Sequence, residues 1–170
     1  ELLQKRVGGW VLGPLILPWY IVLLVSIPET IFIIKLGFQL FNVDVDYKKA
    51  FVMSFLTAIL TILIRKLPLV FGFHTLILIF VLVVLTRVIM KIRIWHGLIS
   101  VLVGVLILGV LESTLLPIFQ KITSTNTESL ILQPWLNVGF AIPLVSVMGI
   151  LYLLTKKYRV VIFDLSLNED

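Results

Sequence analysis

The sequence predicts an all-α, polytopic transmembrane helix bundle, with six spans as the leading reading and five as the alternative. Three observations predict it. Of 170 residues, 60% are hydrophobic and only 14% are charged, whereas a soluble domain carries about 25% charged residues. The apolar residues fall in continuous runs, and a helix crossing ~30 Å of hydrocarbon needs about 20 such residues in a row. The basic residues behind the net charge of +5 sit in short clusters between those runs. That is the pattern of membrane-flanking charge, and it argues against a nucleic-acid partner. Continuous runs also argue against barrel strands, whose two faces alternate. The absence of cysteine excludes a disulfide scaffold, thiolate metal sites and a cysteine nucleophile.

The first expected span, 11–27, carries no charge and passes without a loop into the second, 28–43. Within the second, Glu29, Lys35 and Gln39 interrupt the apolar run. Between the two, Ser26-Ile27-Pro28-Glu29 reads as a helix start: a Ser N-cap, a Pro in the first turn and a Glu at the capping-box position. Against that division, a second helix of about 15 residues covers only ~22 Å. One long helix kinked at Pro28 gives the five-span alternative. The remaining spans are 50–64, 73–90 with Arg87 near its end, 97–118 interrupted by Glu112, Ser113 and Thr114, and 135–155. Lys156, Lys157 and Arg159 close the last one. One transmembrane domain over 1–157 and a cytoplasmic tail over 158–170 follow. Lys5 and Arg6 precede an apolar run, but no small-residue cleavage site follows Ile27, so a cleaved signal peptide is not expected.

Basic residues in short loops mark the cytoplasmic side. Lys156, Lys157 and Arg159 place the C-terminal end inside, with Arg87, Lys91, Arg93, Lys48 and Lys49 on the same side. The Ser/Thr/Asn-rich loop 121–134, together with Arg65 and Lys66, then lies outside. The expected location is the plasma membrane.

Ionisable groups in hydrocarbon cost on the order of 2.5–3.5 kcal/mol each on insertion scales, so each needs a reason. The expected topology puts Glu29, Arg65, His74 and Glu112 near one outer depth. There they form either a ligand-binding pocket or a buried polar network that holds the helices together. The two histidines, His74 and His96, fall on opposite sides, so neither a metal site nor a cofactor is expected. Lys35 and Gln39 share a helical face, and Lys35 is expected to snorkel toward the inner water. Arg87, Lys91 and Arg93 read as a cationic rim for lipid headgroups. Trp10, Trp19, Tyr20, Trp95 and Trp135 read as an aromatic belt, although Trp19 and Tyr20 sit deep for that role in a span starting at residue 11. Gly104 and Gly109 are not at GxxxG spacing. No GxSxG, HExxH or glycine-rich phosphate loop is present, so the chain is expected not to be an enzyme.

The order of features resembles a known family. It runs from Ser26-Ile27-Pro28-Glu29 through Arg65-Lys66-Leu67-Pro68, Phe71-Gly72-Phe73-His74 and Leu111-Glu112 with Leu115-Leu116-Pro117. It ends in Val161-Ile162-Phe163-Asp164-Leu165. This is similar to the membrane-embedded N-terminal sensor region of Gram-positive bacterial histidine kinases of the GHKL type, which are loosely similar to the peptide-sensing quorum receptors. The resemblance covers about residues 26–165. It implies signal perception in the membrane at Glu29, Arg65, His74 and Glu112, dimerisation, and transmission through the last span to a kinase that is attached or acts in trans.

The function expected is therefore a sensor or receptor-like module of a two-component system. It would perceive a small ligand, a peptide or a membrane state at its outer side. Its expected partners are the lipid bilayer and either a second copy or a signalling protein. The alternatives are the substrate-binding subunit of a vitamin-type transporter and a non-catalytic assembly subunit of a membrane complex.

Overall fold

In a bilayer, long apolar runs can satisfy their backbone N–H and C=O groups only along their own axis, so they fold as helices. The computed structural model describes residues 18–64, 73–125 and 133–164. It contains α1 (Trp19–Gln39), α2 (Tyr47–Ile64), α3 (Phe73–Met90), α4 (Ile94–Thr123) and α5 (Trp135–Tyr158). All five are long and apolar enough to cross a membrane. The chain is an all-α bundle of five membrane-spanning helices among the described residues.

The division between the first two expected spans is corrected. Residues from Trp19 to Gln39 form one helix with Pro28 inside it. Its 21 residues rise ~31 Å, one full hydrocarbon thickness. Pro28 removes one N–H from the helical ladder, which would end a helix in water. In lipid nothing else replaces the lost bonds, and a proline within a spanning helix is tolerated because neighbouring helices cover the freed backbone. Residues 11–17 of the first expected span lie outside the described residues. The other four spans appear where the apolar runs place them, with α4 extended past both ends of 97–118.

α1 is the hub. It packs against α2, α4 and α5, while α3 packs chiefly against α2 and α4, and α4 meets α5 more lightly. Half of the most apolar stretch of α1 is buried inside the bundle, against 17% for α3. Neighbours in sequence run antiparallel, whereas α1 and α5 run parallel. Tyr20 meets Trp135 at one end, and Leu40 meets Ile162 at the other.

The α1–α4 seam is made by small residues. A Cβ on Gly37 would strike the backbone carbonyl oxygen of Ser100, and one on Gly104 would strike that of Ile33. Backbones approach this closely only where side chains are absent or small. The two contacts set the antiparallel register, which puts Glu29 level with Leu108 and Val25 level with Glu112.

On α2, the buried hydroxyls of Ser54, Thr57 and Thr61 each donate to the carbonyl four residues earlier. They are thus satisfied without breaking the apolar packing. The buried core is concentrated in one half of the bundle, around Ile33–Phe41, Met53, Leu82, Val101, Met148 and Tyr152.

Candidate functional site

That half of the bundle ends in three connections. One is the loop 40–46 between α1 and α2, the second is the turn 91–93 between α3 and α4, and the third is the tail after α5. Lys48, Lys49, Lys91, Arg93, Lys156, Lys157 and Arg159 are exposed there, which makes it the basic end of the bundle. The opposite end carries Trp19, Tyr20 and Trp135, with ring centroids 5.8 Å apart for Trp19–Tyr20 and 5.9 Å for Tyr20–Trp135. Because α1 begins at Trp19, these rings lie at its mouth, where an aromatic belt belongs.

Among the described residues Lys35 is the most deeply buried cation. Only 3% of it is exposed, and its Nζ donates to the Val45 carbonyl oxygen at 2.6 Å. The Tyr47 ring lies below it at 3.9 Å and the Tyr152 ring at 5.2 Å. Asp44 approaches to 3.5 Å, but its side chain is 74% exposed. An ion pair that wet contributes at most about 1 kcal/mol. The carbonyl and the two aromatic faces therefore do most of the holding. One ammonium thus joins α1, the 40–46 loop, α2 and α5. The stem points toward the basic end, as snorkelling requires, but the head stops under the loop and does not reach water.

The loop over Lys35 is folded tightly. Val43 N–H donates to Phe38 C=O, Asn42 N–H donates to Gln39 C=O, and Asn42 takes a left-handed φ of 59°. The C-terminal tail is fastened to the same loop. Arg159 closes α5 with a left-handed φ of 50°, turning the chain off the helix axis. Ile162 N–H then donates to Leu40 C=O at 2.8 Å, and Asn42 Nδ2 donates to Asp164 Oδ2 at 2.9 Å. Beside the loop opens a cavity of about 350 Å³, bordered by residues 42–46, Lys49, Met90 and Ile92.

In the neighbouring α3–α4 turn, Arg87 Nη1 donates to the carbonyls of Lys91 and Ile92 at 3.3 and 3.1 Å. Arg87 thus closes the α3–α4 turn, in which Lys91 has a φ of 60°. Its observed contacts are with the chain's own backbone. Among the described residues no group of three or more His, Cys, Asp or Glu is placed to hold a metal ion.

No family model, curated protein or solved structure matches the chain.

The four residues singled out by depth are placed unequally. Arg65 lies outside the described residues. Glu29 is half-buried at the middle of α1, because the helix starts at Trp19 and not at Ser26. Its expected place at the outer start of a helix is corrected accordingly. Glu112 is exposed on α4, and His74 is half-buried in the first turn of α3. By the α1–α4 register Glu112 lies one turn, ~6 Å, closer to the aromatic end than Glu29.

Two features escaped the sequence reading. Ser100 and Gly104, four apart with Gly97 one turn earlier, share the small-residue spacing sought at Gly104 and Gly109. The cage around Lys35 had only its cation as a signal, since Tyr47 opens the next helix and Tyr152 comes from the last one, and no spacing in the sequence brings the two rings together.

Proposed function

We propose that the chain is a non-catalytic, membrane-embedded sensor module. A change perceived toward its aromatic end is passed by helix packing to the tail, and from the tail to a cytoplasmic signalling partner. The observation that carries this reading is the attachment of the tail to the loop above Lys35, through Ile162–Leu40 and Asn42–Asp164. Lys35 bridges α1, α2 and α5 beneath that loop, so a shift of α5 against α1 is felt by loop and tail together.

The excess of basic residues at the tail end supports a cytoplasmic tail in a plasma membrane. The resemblance to histidine-kinase sensor regions supports a bacterial two-component pathway, although here Ser26–Glu29 lies within a helix and does not open one. Arg65, His74 and Glu112 are the residues we assign to perception, with Glu29 one turn deeper.

Hydrogen exchange in the reconstituted protein tests the coupling. Lys35→Met is expected to raise exchange at the Ile162 amide by roughly tenfold or more, because the loop that accepts its bond loosens. Unchanged protection in a variant of normal helicity overturns the relay. The coding sequence offers a separate check. A kinase or response regulator encoded in frame or alongside is the expected finding, and a transport ATPase in its place overturns the sensor reading.

A further inference from the structure

Beyond the relay, and independent of it, we infer that the outer side of the tail is a docking surface for an anionic bilayer surface. The left-handed turn at Arg159 sends residues 160–164 across the basic end instead of along the α5 axis. Two hydrogen bonds pin the segment there, at Ile162 and Asp164. Its backbone faces the loop, yet its side chains are left open: Val160 is 45% exposed, Ile162 64% and Phe163 58%. Leu153, Leu154 and Tyr158 at the end of α5 are exposed as well. A short apolar segment held crosswise at the mouth of a spanning helix lies at the depth of the headgroup–acyl boundary, the depth taken by interfacial segments.

Charge selects the occupant. Lys156, Lys157 and Arg159 adjoin the segment and are exposed, as are Lys48 and Lys49 on the first turn of α2. Asp44 and Asp46 of the adjoining loop and Asp164 of the segment itself lie among them, but the five cations outnumber these three acids. A surface that is apolar at its centre and net cationic at its edge is complementary to a leaflet of anionic headgroups. A second copy docking through the same segment would bring two cationic rims face to face, and like charges so placed oppose association.

The chain has no cysteine, so Phe163→Cys provides a unique spin-label site in the full protein. Ser124→Cys, exposed at the aromatic end, provides a water-facing reference. Power saturation is measured in phosphatidylcholine bilayers and in bilayers of phosphatidylcholine with phosphatidylglycerol. At position 163, collisions with oxygen are expected to exceed those with a water-soluble nickel chelate. That preference is expected to rise several-fold when phosphatidylglycerol is present. In the Lys156→Gln, Lys157→Gln, Arg159→Gln variant the rise is expected to vanish while the label at Ser124 is unaffected.

A label as open to the nickel chelate as the reference in both lipids overturns the inference, because the tail is then in water. A label shielded from both reagents, with a doubled mass in detergent, overturns it in favour of a second copy. A label equally deep in both lipids overturns the assignment to anionic headgroups.

Discussion

Lys35 shows how a cation is kept in a place where cations are costly. Removing an ammonium from water costs several kcal/mol even after relaxation. The return comes from one short bond to the Val45 carbonyl and two aromatic faces, at 2.6, 3.9 and 5.2 Å. Lys35→Met leaves that carbonyl without its donor and the rings without their cation. It is expected to lower stability by about 1–3 kcal/mol, since bonds to charged groups contribute on that scale. Asp44→Asn touches only the wet side of the same lysine, and a loss below about 1 kcal/mol is expected. Thermal unfolding of both variants in detergent separates the two expectations. A larger loss for Asp44→Asn than for Lys35→Met would contradict this division of labour.

Between helices, the α1–α4 seam makes a sharp contrast among glycines. Gly37 and Gly104 face backbone oxygens across the seam, whereas Gly109 on the same α4 has nothing within 4 Å of its would-be Cβ. Alanine at position 37 or 104 is expected to force the helices apart and cost about 1–3 kcal/mol, the usual range for overpacking. Gly109→Ala is expected to stay within about 0.5 kcal/mol of the parent. The same unfolding measurement decides.

What could be read in advance follows the same physics. Every helix announced itself, because an apolar run that long has no other use for its backbone in lipid. The break expected at Pro28 does not form, because Ser26 and Glu29 make a start signal only where water can take the broken hydrogen bonds. The seam was half legible, since the spacing of Ser100 and Gly104 is visible but its partner face on α1 is not. The Lys35 cage was not legible at all, because its rings arrive from α2 and α5.

At the scale of the whole molecule, a single helix through Pro28 makes a labelling prediction. Ser26 is seven residues into α1, ~10 Å from its mouth, so Ser26→Cys is expected to resist a membrane-impermeant thiol reagent. Labelling there would restore a turn between two shorter helices. Lys91→Cys and Ser124→Cys bracket α4 and are expected to label from opposite faces.

The parallel pairing of α1 with α5 joins the first and the last described helices to be synthesised. The hub is made first and its last wall is made last, since Tyr152 of α5 reaches Lys35 only after the chain past Trp135 has been synthesised. Until then one flank of the buried ammonium is turned to lipid or to whatever escorts nascent helices. A chain halted before Trp135 is expected to be held as an unfinished substrate and degraded faster than the full chain in a pulse–chase experiment, with Lys35→Leu in the shortened chain slowing its loss. The charge that locks the finished bundle would thus also mark the unfinished one.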